Sequence, residues 1–175
     1  MSIPANALRL PVFLHPGFLI RNQHGRFPLE QILFPGCFVC GPDNEWGLKG
    51  AFETLPSGEV KGVFTPDERH CGYEGIVHGG IIMGFLDEVL GRLALARDRL
   101  FLTHTLEVTF RKAAAPARPL TAVAREVEWS RKKFLAEGTL TDESGAIVAA
   151  AKGTFLLMSE GMERELLKEG GRKTS

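Results

Sequence analysis

Residues 77–91 read VHGGIIMGFLDEVLG, with two glycines opening an apolar helical pattern and an acidic pair, Asp87 and Glu88, set among leucines. Each internal glycine costs a helix about 1 kcal/mol relative to alanine, so stability alone does not account for the choice. The first N–H groups of a helix lack intrahelical acceptors and carry the positive end of its macrodipole. Without a Cβ at Gly79 or Gly80, a substrate carbonyl oxygen can approach those amides closely, which is the geometry of an oxyanion hole. The ordinary alternative is a glycine cap whose neighbour packs tightly on a strand.

Asp87 has glycines at i−3 and i+4, Gly84 and Gly91. It therefore sits in a stripe of missing side chains where a ligand or a second backbone can approach. Either would desolvate the carboxylate and raise its pKa, a condition suited to a base or nucleophile. The alternative is a solvated helix residue, and Glu88, about 100° further round the helix, is assigned that role as the control. Gly79 and Asp87 lie about 12 Å apart along one helix axis, whereas a reacting carbonyl must lie within about 3 Å of both its donor and its attacking group. One helix cannot supply both. If they serve one reaction, the aspartate comes from a second copy of the chain, and catalysis requires a dimer.

The helix that carries these groups is predicted over 79–97, because Ile81, Ile82, Phe85, Leu86, Val89, Leu90, Leu93 and Ala94 cover more than half its circumference. LKGAFETL and EVKGVFTP, joined by Pro56-Ser57-Gly58, read as a hairpin before it, and DERHCGYEG as a loop. Four strands are expected after it: LTHTLEVTFRKA, with His104, Leu106, Val108 and Phe110 on one face, then PLTAVAREVEWS, KKFLAEGTLTD and AIVAAAKGTFLLM. Short turns such as Asp142-Glu143-Ser144-Gly145 argue for an antiparallel meander curled around the helix, an α+β plan. The proline-rich start is read as an extended arm, and Ser159 as the N-cap of a short C-terminal helix before a polar tail.

The chain's 175 residues suit one domain with a sufficient core. Its 21 basic and 21 acidic side chains leave no net field to gather nucleic acid or anionic membranes. The apolar stretch PVFLHPGFLI is short and broken by prolines, with neither the flanks of a signal peptide nor the length of a membrane span. A soluble, cytoplasmic protein is expected, with no nucleic-acid or membrane partner.

GIVHGGIIMGFLDEVLG resembles the helix segment of hotdog-fold acyl-CoA thioesterases of the phenylacetic-acid-degradation type, in which H-G-G precedes an acid nine positions after the histidine, as His78 precedes Asp87. The resemblance runs from CFVCGPDNEWGLKG through THTLEVTFRKAA to GTFLL, roughly Cys37 to Met158. It implies a hotdog fold, an antiparallel sheet of five to six strands wrapped around one long central helix, with a 1–36 extension before it and a short helix and tail over 159–175. It implies a homodimer or dimer of dimers acting on an acyl-CoA substrate without a cofactor. In that scheme the Gly79 amide, flanked by His78, polarises the thioester carbonyl, and Asp87 of the neighbouring subunit is nucleophile or general base. Thr103 falls where relatives carry a hydroxyl that holds water or the acid. Gly80, Gly84, Thr105 and His70 are assigned to substrate binding. His70 stands in for an asparagine or glutamine that relatives place before the H-G-G and that HCGYEG lacks.

A polarised thioester carbonyl with a good leaving thiolate needs no serine triad or metal. A non-catalytic acyl-CoA-binding protein and an acyl-thioester hydratase or dehydratase remain alternatives. Cys37 and Cys40 have zinc-knuckle spacing, but a closed site needs four ligands. A set of Cys37, Cys40, Cys71 and His70 is conceivable; the expectation is reduced, packing cysteines and no metal.

Overall fold

The computed structural model describes residues 34–170, so nearly all of the arm expected over residues 1–36, and the tail beyond 170, lie outside the described residues. The first turn falls where its residue types require: Gly58 takes φ +86° between β1 (Ala51–Thr54) and β2 (Val60–Phe64), and its N–H donates to the Leu55 carbonyl at 2.8 Å. The segment read as a loop is more ordered than expected. Glu68–His70 form a 3-10 turn capped by Asp67, and a small hairpin, β3 (Cys71–Tyr73) with β4 (Ile76–Val77), delivers the chain to helix α1 (Gly79–Leu95). Four strands follow, β5 (Phe101–Phe110), β6 (Leu120–Trp129), β7 (Lys133–Thr141) and β8 (Ile147–Leu157), and then helix α2 (Glu160–Gly170).

The large sheet is antiparallel and six-stranded, in the order β1-β2-β6-β7-β8-β5. The expected meander therefore holds only for β6, β7 and β8. β5 pairs with β8, and the link after it crosses to the other side of the sheet before β6 begins beside β2. Hairpin turns were a correct guide to β6–β7–β8, but β5 lacks one. With β8 its sole neighbour among the described residues, β5 is an edge strand of this sheet.

Helix α1 lies against the inner face of this sheet. Phe85, Leu86, Val89 and Leu90 are fully buried, facing a floor of small residues that includes Ala122, Ala124, Ala136 and Ala149. Gly138 shows why the floor must be small: a Cβ there would stand 2.9 Å from Leu90 Cδ1. Such burial is worth about 1.5–3 kcal/mol for each large apolar side chain. An aromatic stack, Trp129–Phe134–Phe155 with Phe101 edge-on to Phe155, closes one end.

The register of β5 differs from the expected alternation. A bulge at His104 breaks the pairing between Thr103↔Phe155 and Thr105↔Thr154. One extra residue reverses the parity of the strand. Phe101 and Thr103 face the helix before the bulge, and Leu106 and Val108 after it. His104 is accordingly off the Leu106 face, and Thr105 lies exposed on the side away from the helix.

Candidate active site

His78 is the N-cap of α1. Its Nδ1 accepts the Gly80 N–H at 2.9 Å, while its own N–H donates to the His70 carbonyl at 2.8 Å. An accepting Nδ1 puts the proton of the neutral ring on Nε2. Gly80, expected to bind substrate, has therefore given its amide to His78. Neither the Gly79 N–H nor the Nε2 of His78 meets a hydrogen-bond partner among the described residues. Gly72 matters here through its missing side chain, since a Cβ would stand 2.8 Å from His78 Cδ2. His70 is 6% exposed and its Nδ1 accepts the Asp67 N–H at 2.9 Å. Instead of reaching a substrate, it pins the turn whose carbonyl holds His78.

A cavity of about 360 Å³ opens at this helix end, lined by Gly79, Ile82, Phe110, Arg111 and Lys112 among others. The Phe110 ring comes within 3.3 Å of the position a Gly79 Cβ would take. Lys112 is paired with Asp142 at 2.6 Å, and the strong hydrogen bonds it and Ser144 donate hold that carboxyl well below the usual range. Arg111 is exposed and has no side-chain partner among the described residues. Phe110 and Arg111 were missed in the sequence; the signal was the FRK run at the end of β5.

Two turns further along, Asp87 is half-buried and accepts the Thr103 hydroxyl at 2.9 Å. Burial pushes its carboxyl up from the ordinary range, and the Thr103 bond opposes that shift. The glycines around it divide. A Cβ at Gly91 would stand 2.1 Å from the Phe101 ring, so the approaching group there is this chain's own aromatic. Gly84 faces open space. Gly80 and Met83 are exposed and Gly84 and Asp87 half-buried, an i, i+3, i+4, i+7 stripe left uncovered on an otherwise buried helix.

Thr103→Val keeps the shape and removes the donor. A hydrogen bond to a charged group is worth about 1.5–3 kcal/mol, so turnover that uses the Asp87 carboxylate is expected to fall about tenfold or more. The acid limb of its pH–rate profile moves up, because the bond that favours the ionised form is gone; an unmoved limb would disconnect Thr103 from Asp87.

Glu88 does not have the solvated role assigned to it. Its Oε1 accepts Nε of buried Arg92 at 2.9 Å, and it clusters with Cys37 and Cys40 under the 34–47 loop. The cysteine set conceived with Cys71 and His70 does not form: Cys71 Sγ points to the Asp67 carbonyl and Glu68, and His70 is engaged elsewhere. Cys40 is buried, and desolvation, helped by the charge of Glu88, pushes its thiol up to about 12.

Residues 74–149 match the family model described as Thioesterase superfamily. A curated protein of Archaeoglobus fulgidus named "Putative esterase" is 26% identical over 106 residues, 61% of this chain and 69% of that protein. The crystal structure of a thioesterase superfamily protein superposes with a TM-score of 0.64 at 26% identity, covering 68% of this chain and 62% of that one, less than two thirds of its length. The structure described as "Hypothetical Thioesterase Protein with Coenzyme A" from Streptococcus pneumoniae matches with a TM-score of 0.59 at 20% identity, covering 63% of this chain and 86% of that one. One helix packed on a six-stranded antiparallel sheet is thus the hotdog fold. No helix among the described residues is long and apolar enough to cross a membrane.

Proposed function

We propose that this hotdog protein, whose residues 74–149 match the thioesterase superfamily, hydrolyses an acyl-CoA thioester to the free acid and CoA. The observation that carries the reading is Asp87: a half-buried carboxylate with a raised pKa, bonded to Thr103 and lying on the uncovered stripe of its helix. A buried, unpaired carboxylate is a stronger base and nucleophile than a solvated one. In this scheme Gly79 N–H and His78 Nε2–H receive the carbonyl oxygen and stabilise the charge that grows on it during attack. Asp87 then attacks the carbonyl carbon, giving an acyl anhydride that water opens, or takes a proton from water as water attacks. Either way the C–S bond breaks and CoA leaves as its thiol after protonation.

Both groups sit on α1, about 12 Å apart along its axis, so each site draws its amide and its aspartate from different protomers. Two features support such an assembly. The Gly80–Met83–Gly84–Asp87 stripe is uncovered, and β5 presents beside it an edge that is unpaired among the described residues, with Leu102 49% exposed. A second copy meeting the first along α1 and β5 covers both, and dimer and dimer of dimers are equally compatible with that contact. This scheme gives no binding role to Thr105, exposed on the side away from the helix, or to His70, buried and accepting the Asp67 N–H. Gly84 serves by leaving room, and Arg111 at the cavity mouth, without a side-chain partner among the described residues, suits the phosphates of CoA. The S. pneumoniae structure with coenzyme A agrees in fold with a CoA-binding role.

Thiol release from aryl, short and long acyl-CoA esters tests the proposal. At least one ester is expected to be cleaved at micromolar to millimolar KM, typical of enzymes. Arg111→Glu is expected to raise KM for CoA esters but not for truncated thioesters that lack the phosphates. Binding of esters without thiol release across the panel would establish a carrier instead, and double-bond chemistry without free thiol a hydratase.

A further inference from the structure

Away from the Asp87 face, the 34–47 loop folds onto α1 and brings a different set of groups together. One ligand atom from each of Cys37, Cys40 and Glu88 lies within 4.8 Å of the others. At zinc–sulfur and zinc–oxygen bond lengths, two ligands of one tetrahedral ion stand about 3.5–3.8 Å apart, so closure around an ion needs shifts of about an ångström. We propose that these three side chains bind one thiophilic divalent cation per chain, zinc by preference, and that the ion staples the loop to the helix.

The loop is already shaped as a metal knuckle. The N–H groups of Val39 and Cys40 both point at Cys37 Sγ, at 3.4 and 3.5 Å, and hold that sulfur in place. The Gly41 N–H closes the turn on the Cys37 carbonyl at 2.9 Å, and a Cβ at Gly41 would stand 2.4 Å from the Pro35 carbonyl oxygen. Below the knuckle, Lys49 holds three loop carbonyls, of Gly41, Pro42 and Asn44, at 3.0, 2.7 and 2.6 Å. The sulfurs are thus positioned without help from the metal, which is what lets a three-ligand site bind tightly.

The third ligand is positioned as well. Arg92, 6% exposed, takes only Oε1 of Glu88, and Oε2 has no donor among the described residues. Two thiols release two protons on binding, so two thiolates and a carboxylate carry three negative charges; the ion balances two and Arg92 the third. That balance makes a partly buried site tolerable. The donor set chooses the metal: thiolates disfavour magnesium and calcium, and the carboxylate favours zinc over copper(I). A cavity of about 200 Å³, lined by Cys37, Cys40, Glu88 and Arg92 with Leu95 and Phe101, adjoins the site and has room for water as a fourth ligand.

The test is cobalt titration of the chelator-stripped full-length chain. The expected result is a thiolate-to-cobalt charge-transfer band in the near ultraviolet, with tetrahedral d–d bands, saturating at one cobalt per chain and displaced by zinc. Cys71→Ser keeps the bands, Cys37→Ser and Cys40→Ser lose or halve the charge-transfer intensity, and Glu88→Gln weakens binding by about tenfold or more. Zinc is expected to raise the melting temperature of the wild-type chain, and to keep raising it with the logarithm of free zinc above the dissociation constant. Absence of a charge-transfer band in the wild-type chain, loss of the band in Cys71→Ser, or a Cys37–Cys40 disulfide in the protein as isolated would each overturn the proposal. None of these readouts depends on thioesterase activity, so this site and the Asp87 site fail or stand separately.

Discussion

Asp87→Asn is expected to lower kcat about a thousandfold, within the range that a lost general base or nucleophile costs, while the melting temperature at neutral pH stays level or rises. The structure makes these two effects separable. Asparagine keeps an oxygen that accepts the Thr103 hydroxyl, now 2.9 Å from Asp87 Oδ1, so the local hydrogen bond survives. What is lost is the charge. Burial raises the Asp87 pKa, so the native protein holds that proton to a higher pH than the unfolded chain does. Between the unfolded carboxylate value, about 3.9, and the higher native one, the folded state binds more protons and stability falls as pH rises. Above the native pKa the penalty is complete, and an asparagine does not incur it. Wild type and variant are therefore expected to converge in stability at acid pH and to separate toward neutrality, with the variant the more stable. The acid limb of wild-type kcat/KM is expected above the ordinary carboxylate range, because only the ionised form acts. Melting curves and initial rates across pH measure both. Full activity in the variant would remove Asp87 from the chemistry, and a large loss of stability would make it a structural residue.

The parts of this molecule that were readable in the sequence depend on nearby residues. A 3.6-residue repeat from Ile82 to Leu93 marks the helix and glycines at 58 and 145 mark turns, whereas the hydroxyl of Thr103 beside Asp87 was an expectation of the family resemblance alone. What was misread depends on pairing across the chain. β5 joins β8, its partner some forty residues on, and no hairpin turn announces that. The bulge at His104 exists only against that partner, and it is what puts Thr103 on the helix face while Thr105, two residues on, lies on the outer one. Glu88 looks like any exposed helix acid until the Cys37–Cys40 loop, some fifty residues upstream, folds over it. The same holds for Gly91, whose missing side chain admits the ring of Phe101 and not a ligand. Gly80 fails for a more local reason: a histidine at the N-cap competes for the amide that the two-glycine opening had seemed to leave free.

Two nearly inactive variants are expected to restore one another when mixed. Gly79→Pro removes the polarising N–H and little else. Gly79 is the first helical residue, where proline is well tolerated, and its amide has no acceptor among the described residues to lose. The preceding His78, at φ −63° and ψ 135°, already has the extended backbone that proline requires before it. The Phe110 ring, 3.3 Å from the position of a Gly79 Cβ and 45% exposed, has room to yield. Loss of one oxyanion donor costs about 10²–10³-fold in kcat, so Gly79→Pro and Asp87→Asn are each nearly silent alone. In a randomly assorted mixture, a site that takes its amide from one chain and its aspartate from another is intact when the first carries Asp87→Asn and the second Gly79→Pro. That is about a quarter of all sites, in a dimer or a dimer of dimers, so co-expressed or co-refolded variants should regain about a quarter of wild-type activity. If one chain supplied both groups, every site would carry a lesion and mixing would restore nothing. The helix rise of about 1.5 Å per residue makes that outcome incompatible with a single thioester carbonyl meeting both the Gly79 amide and the Asp87 carboxylate.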